Sequence, residues 1–368
     1  MRRAIYPVVL GTLSLVRTAP AAPADSAASS SSTASFKQCI DLMVPVPVVA
    51  TNYHYTQPPV DNDHDGITWA QNVTTWSTPN ATERITGPVQ VNQTFSIFAQ
   101  LCVPTADGGA NKADILQIAT AGLGFDRRYW DVRAKAAEEY SYLDAAVKKG
   151  YSVLLYDRLG TGRSEKPDAY DVVQIPVEVE VLAGLTGIVR RGELISGSQV
   201  LSSFPQTTTT TIPASSFQPP AKVVHVAHSY GSFLTAGMLS RYGNLSDAAL
   251  LTGFLLNPHL GAVDVAHFDH AYAPLHDPTR FGGYTSGYFV LTTEDTLQKL
   301  FLRRGSFERE LLAYLEEIKQ PETVGEYASQ GTAQLLPAGE FRGPLQVSYT
   351  LISLLFDLNR LEKRIPDP

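Results

Sequence analysis

The sequence predicts an α/β fold: a mostly parallel sheet with helices on its faces and a helical lid inserted into it. Three observations carry this. Short apolar runs at 115–119 (ILQIA), 151–156 (YSVLLY), 223–226 (VVHV) and 249–256 (ALLTGFLL) alternate with stretches of helical composition, the pattern of βαβ units. One run passes straight into a helix through Ala227-His-Ser-Tyr-Gly231. After residue 256 the alternation gives way to irregular, aromatic-rich sequence with helices, as an insertion does.

The first 24 residues read as a secretory leader. Arg2 and Arg3 give a positive start, 4–16 is a short apolar run, and small residues with A-x-A-like choices follow around 19–24. The run is shorter than the roughly 20 residues that span a bilayer, and no later run approaches that length. Residues 20–35 are low in complexity and are expected to be disordered. Residues 25–93 as a whole read as an N-terminal extension, partly disordered. Sequons at Asn72, Asn80, Asn92 and Asn244 agree with export and mark glycosylation sites. The only cysteines are Cys39 and Cys102. In an oxidising compartment they read as one disulfide tying the N-terminal segment to a strand; the alternative is two buried thiols.

The core is expected over 94–256. Residues 94–103 alternate, with Phe95, Ile97, Ala99 and Leu101 on one face, and read as a half-buried strand. Residues 132–149 have helical composition and stop at Gly150, a good residue just past a helix end. A helix is expected around 179–189, an inserted loop over 192–220 with its Thr207–Thr211 run, and a helix over 232–242. The lid is expected over 257–340. Within it Ser306 reads as the cap of a helix with Phe307, Leu311, Leu315 and Ile318 on one face. Residues 341–368 hold the last recognisable core strand, at 343–347 (GPLQV), and an atypical tail.

Composition narrows function. Lys and Arg number 29 against 36 Asp and Glu, a net charge of −7, which excludes the basic surplus a nucleic-acid binder shows. The segment that carries chemistry is 223–231. An apolar strand enters Ala227-His-Ser-Tyr-Gly231 and leaves as a helix, matching the nucleophile elbow G-x-S-x-G with Ala in the first Gly position. The turn needs small residues on both sides because its flanks pack closely. It exposes the Ser229 hydroxyl as a nucleophile, and the N–H of Tyr230, at a helix start, can hold an oxyanion. The glycine loop Thr120-Ala-Gly-Leu-Gly-Phe125 can offer the second oxyanion donor, the N–H of Leu123. Gly160 and Gly162 do not make a dinucleotide loop, because Glu165 stands where the third glycine is needed. Asp157, Arg158 and Arg163 read instead as local hydrogen-bond locks of that loop.

With these residues in view the chain resembles the α/β-hydrolase superfamily, of the AB hydrolase-1 type, and in detail its secreted fungal-type members. The residues that carry the resemblance are Gly122 with Arg128-Tyr-Trp-Asp131, Tyr156-Asp-Arg-Leu-Gly-Thr-Gly-Arg-Ser164, His228-Ser-Tyr-Gly-Ser232 and Val324-Gly-Glu326. The resemblance spans about 94–347 and is specific for the fold rather than for a substrate. It implies Ser229 as nucleophile, a His base, an Asp orienter and a helical lid over an apolar pocket. The expected substrate is a small, apolar, ester-like molecule, with no cofactor and no metal. Where relatives carry His-Gly in the oxyanion loop, this chain has Ala121-Gly122.

The order expected in this fold is Ser, then Asp or Glu, then His. No histidine follows His276, and after 343–347 the sequence runs on as Ser348-Tyr-Thr-Leu-Ile-Ser-Leu-Leu-Phe356 where a Gly-x-x-Asp setting is expected. The tail from Ser348 therefore reads as out of register with the family, as in a truncated or mis-spliced chain. His228 is expected to point away from Ser229, and His225 to be a packing histidine in the strand. His267-x-x-His270 makes at most half a zinc site. Asp61-Asn-Asp-His-Asp-Gly66 imitates a calcium loop but has Asn72 at position twelve. Two readings follow: a secreted serine hydrolase of acyl compounds, and a catalytically incomplete or non-catalytic relative such as a binding protein. Whether the chain is an enzyme turns on the missing base, and the sequence fixes no oligomeric state.

Overall fold

Strand β1, Lys37–Tyr55, buries Ile40, Leu42, Val44, Val46, Val48 and Ala50 and exposes the residues between them from Pro45 to Thr51. The period of two makes it a sheet strand with one face in the core. Pro45 and Pro47 lie in its middle and are tolerated for a geometric reason. One side of β1 pairs with β2 (Ile85–Pro104) along its whole length, whereas the other side meets β5 (Gln199–Ser202) only at residues 41–43. Beyond that point the second side pairs with no strand among the described residues, so a missing N–H there leaves no ladder bond unmade. The extension expected over 25–93 thus supplies β1 and the start of β2 to the main sheet. The loop expected over 192–220 supplies the edge strand β5.

The structure is a computed structural model that describes residues 36–74, 84–105, 111–135, 138–202, 218–254, 269–303, 305–330 and 337–348. The leader, the low-complexity run, Asn80, His259, His267 and the tail after Ser348 lie outside the described residues. The remaining strands are β3 (Lys112–Thr120), β4 (Tyr151–Tyr156), β6 (Lys222–His228), β7 (Ala248–Thr252) and, at the far edge, β11 (Leu345–Ser348). The eight-stranded order is β11-β7-β6-β3-β4-β2-β1-β5. The five strands from β11 to β4 run parallel; β2, β1 and β5 are joined antiparallel.

Helices cover both faces. Helix α1 is Asp63–Thr74, and Asp61–Gly66 forms its entry, with Asp65 accepting from the Asp61 amide. Helix α2, Tyr142–Lys148, is capped by Ser141 and packs Leu143, Ala146 and Val147 with Val153, Leu155 and Val226. The sequence pattern predicts that helix from 132; it is shorter because Ser141 captures the Asp144 amide and starts the helix there. Helices α3 (Ile175–Arg190) and α4 (Tyr230–Tyr242) cover the opposite face with Leu182, Leu185, Leu234 and Met238.

Between β7 and β11 the chain leaves the sheet. The described part holds α5 (Ala273–His276), α6 (Pro278–Phe281), α7 (Glu294–Phe301), α8 (Arg309–Ile318) and α9 (Val324–Ser329). It also holds a three-stranded antiparallel sheet of β8 (His270–Tyr272), β9 (Tyr288–Leu291) and β10 (Glu322–Thr323). The lid is therefore mixed rather than purely helical. Helix α8 starts after Glu308, not at Ser306, whose hydroxyl donates to the Arg303 carbonyl instead of capping. Leu312, Leu315 and Ile318 form its buried face. No helix among the described residues is long and apolar enough to cross a membrane.

Cys39 and Cys102 face each other across the β1–β2 ladder and are joined as a disulfide. The bridge closes a loop of sequence separation 63. Cross-links of this kind stabilise chiefly by restricting the unfolded chain. Replacing both cysteines with alanine is expected to lower unfolding stability by about 2–4 kcal/mol. Urea titration of the variant against the parent checks this.

Candidate active site

Strand β6 ends at His228 and α4 begins at Tyr230, so Ser229 alone makes the turn. Its φ is 51° and its ψ −121°, and it is the one non-glycine residue of positive φ among the described residues. Such a backbone costs about 1–3 kcal/mol and persists only where the surroundings enforce it. The enforcement is visible. The Ser229 amide donates to the Thr252 carbonyl on β7 at 2.9 Å. The Ser232 hydroxyl donates to the same carbonyl at 3.0 Å. A side chain at Gly231 would place its Cβ 2.5 Å from the Thr120 carbonyl oxygen, so only glycine lets α4 start this close to β3. Ser229 remains partly accessible at the head of the helix.

The loop after β3 lies against it. A Cβ on Gly122 would stand 3.0 Å from the Ser229 Cβ and 3.6 Å from its Oγ. The 122–123 peptide therefore borders the serine side chain. The Leu123 amide donates no hydrogen bond among the described residues. As the first residue of its helix, Tyr230 has an N–H with no acceptor inside the helix. The structure thus places Ser229 between Tyr230 at the helix start and the loop of Gly122 and Leu123.

Beneath the turn lies a buried ionic cluster. Arg158 is almost fully excluded from water, and its Nη1 donates to Glu178 Oε1 at 2.7 Å and to Glu326 Oε1. Its Nη2 donates to the Gly122 carbonyl at 3.3 Å. The Tyr230 hydroxyl donates to Glu178 Oε2 at 2.7 Å, and the guanidinium lies over the Tyr230 ring at 4.9 Å. Glu326 comes from α9, where it completes a capping box with Thr323. Two carboxylates share one cation here. Burial pushes both carboxyls up from their usual range, against the pull of Arg158; Glu326 reaches about 8.

The expected loop lock is realised in part. Asp157 accepts from the Arg163 amide at 2.8 Å and the Arg127 amide at 3.1 Å, and burial raises its carboxyl. The Arg163 guanidinium instead lies over Phe98 and reaches Asp41. Arg158 does not lock its own loop with its side chain; it reaches α3, α9 and Gly122. No feature short of the fold reveals that, because Glu326 is 168 positions away.

The histidines give no partner to Ser229 among the described residues. His225 is buried between the Thr186 and Ser246 hydroxyls, and burial pulls it down to about 3. His228 turns onto the Tyr129 ring, centroids 5.0 Å apart, with its Nδ1 against the Thr252 hydroxyl; burial pulls it down to about 4. His270 pairs with Glu322 in the lid at 3.1 Å. That pair was not predicted from the sequence. No group of three or more metal-ligating side chains occurs among the described residues. Asn72, Asn92 and Asn244 are exposed.

A model of the alpha/beta hydrolase family matches residues 119–355, well over half of the chain. The chain belongs to the alpha/beta hydrolase family. The match covers the elbow, the loop of Arg158, the lid and β11. No curated protein matches the chain. Among solved structures the chain is similar to an epoxide hydrolase from Vigna radiata, with 14% identity over 47% of this chain and a TM-score of 0.30. It spans 40% of that protein's length. It is also similar to an enol-lactonase from Burkholderia xenovorans LB400, with 16% identity over 69% of this chain and 77% of that one, TM-score 0.38. A third is E-2-(acetamidomethylene)succinate hydrolase, with 14% identity over 69% of this chain and 76% of that one, TM-score 0.39.

The raised Glu326 carboxyl makes the stability of the protein depend on pH. Its folded value, about 8, lies above its ordinary 4.5. Between those values the folded state keeps a proton that the unfolded chain releases. This contribution to stability is full below the unfolded value and is lost as pH rises through the folded one. Urea midpoints measured from pH 5 to 8.5 are expected to fall more steeply for the parent than for Glu326→Gln.

Proposed function

We propose that this hydrolase is a secreted serine hydrolase that cleaves small, apolar, ester-like acyl compounds. The observation that carries the reading is Ser229 itself. A serine holds a strained positive φ between a strand and a helix, with Gly122 pressed against its side chain. In the proposed reaction Ser229 Oγ attacks the acyl carbon and a base takes its proton. The tetrahedral oxyanion is held by the amides of Leu123 and Tyr230, the leaving alcohol departs with a proton, and water then releases the acid. The elbow residue is serine, which forms an acyl-enzyme; aspartate is the residue this position needs for opening an epoxide. The leader-like start, the sequons and the Cys39–Cys102 bridge support export to an oxidising compartment, with Asn72, Asn80, Asn92 and Asn244 as glycosylation sites.

The second reading is a non-catalytic relative that binds such compounds. It is favoured by His228, the histidine next to the nucleophile, which is turned onto Tyr129 and held near 4, too weak a base for general-base work near neutrality. A fluorophosphonate probe separates the two readings. On the hydrolase reading, mass mapping finds the probe on Ser229, and Ser229→Ala abolishes labelling. A folded, unlabelled parent sinks it in favour of the second. Turnover of p-nitrophenyl butyrate is expected to track the labelling and to fall at least about 1,000-fold in Ser229→Ala.

A further inference from the structure

We propose that Arg158 is a positioning residue for acyl transfer: from beneath the elbow, one buried guanidinium aims both backbone amides that hold the oxyanion. The inference rests on the reading of Ser229 as the acyl nucleophile. The first amide is aimed through a peptide plane. The Gly122 carbonyl and the Leu123 N–H belong to the same peptide, and no cis bond occurs among the described residues. In a planar trans peptide the two groups point in opposite directions. Arg158 Nη2 holds the carbonyl at 3.3 Å from the buried side. The N–H must then face the other way, to the side where Gly122 borders the Ser229 hydroxyl. A charged donor on the carbonyl also polarises the peptide and makes its N–H a better donor.

The second amide is aimed through a side chain. Tyr230 carries the other N–H, and its ring and hydroxyl are both held by the same cluster. Arg158 lies over the ring, and the hydroxyl donates to Glu178, whose other oxygen Arg158 holds. Neither amide can rotate without breaking a bond to a charged group that has no water to turn to. Glu326 accepts from the same Nη1 that serves Glu178, and its own helix is anchored at the same point by the capping box with Thr323. The elements involved are the loops after β3 and β4, α3, the head of α4, and α9 at the base of the lid.

A role confined to folding and a role in aiming the amides differ in what they change. An aiming residue lowers kcat and the rate of phosphonylation and leaves KM nearly constant, because the oxyanion forms only after binding. It also lowers the preference for an oxygen ester over the matching thionoester, since the larger sulfur gains little from these donors. The test uses the parent, Arg158→Lys, Tyr230→Phe and, as a control, Arg163→Lys on the exposed side of the same loop. Arg158→Lys keeps the charge between the carboxylates but lacks the second nitrogen that reaches Gly122. Thermal melts establish that each variant is folded. The expected result is a loss of about 10- to 100-fold in kcat for Arg158→Lys, with KM within about two-fold and a collapsed oxygen-to-sulfur preference. Arg163→Lys should match the parent. Tyr230→Phe, which removes only the bond to Glu178, should shift the same quantities in the same direction and decides the matter if Arg158→Lys does not fold. Folded variants with the parent's kcat and preference overturn the role of Arg158 while leaving Ser229 in place. A parent that neither labels nor turns over overturns the nucleophile reading, and this inference with it.

Discussion

A guanidinium removed from water keeps its charge and loses its hydration, so every donor it has must be met by protein. Arg158 meets this condition at Nη1 and Nη2, by drawing on parts of the chain that share no local sequence: Glu178 on α3, Glu326 on α9 and the Gly122 carbonyl after β3; its buried Nε has no hydrogen-bond partner among the described residues. The requirement runs in both directions. The cation needs those partners, and once placed it fixes where they are. Helix α3 cannot slide along the sheet, and α9 cannot lift from it, without leaving a buried charge unpaired. The arrangement costs more than an apolar core of the same volume would. What it gains is a unique geometry directly under Ser229.

The same logic explains why two carboxylates accompany one cation. A single glutamate would neutralise Arg158 but could not join α3 and α9 at once. With two, the surplus negative charge is relieved by a carboxyl that holds its proton far above the usual range, which is the direction in which burial drives both Glu178 and Glu326. A carboxyl group tolerates this because either of its oxygens still accepts a hydrogen bond when protonated. The Tyr230 hydroxyl and the Thr323 amide use the oxygens that Arg158 leaves.

Local signals were legible in the sequence and distant ones were not. The apolar runs at 115–119, 151–156 and 223–226 all became strands, because a strand buried on both faces writes a continuous apolar segment. The elbow was legible for the same reason, since strand, turn and helix are contiguous. Strand β1 was hidden by Pro45 and Pro47, which disqualify a strand unless its outer edge is unpaired; that depends on where β5 stops, 150 residues on. The lid sheet was hidden because strands of two to four residues carry no period. Ser306 looked like a cap by residue type, but its hydroxyl found the Arg303 carbonyl first. Arg158 looked like a local lock because its partners lie 20 and 168 positions away.

These two scales meet at Ser229. A serine at φ 51° is a conformation that its own sequence neighbours disfavour, and nothing within the pentapeptide Ala227–Gly231 could hold it. The hold comes from outside: the Thr252 carbonyl on the adjacent strand takes the Ser229 amide, and the Thr120 and Ala121 carbonyls close over Gly231. The motif supplies small residues that permit the turn, and the sheet supplies the bonds that impose it. The strained turn leaves Ser229 partly accessible at the head of α4, with Gly122 against its side chain. A fold that needed only a compact βα corner could relax this serine into an ordinary backbone and recover the strain. On the acyl-transfer reading proposed above, that strain and the buried cation on the facing 122–123 peptide serve one oxyanion site.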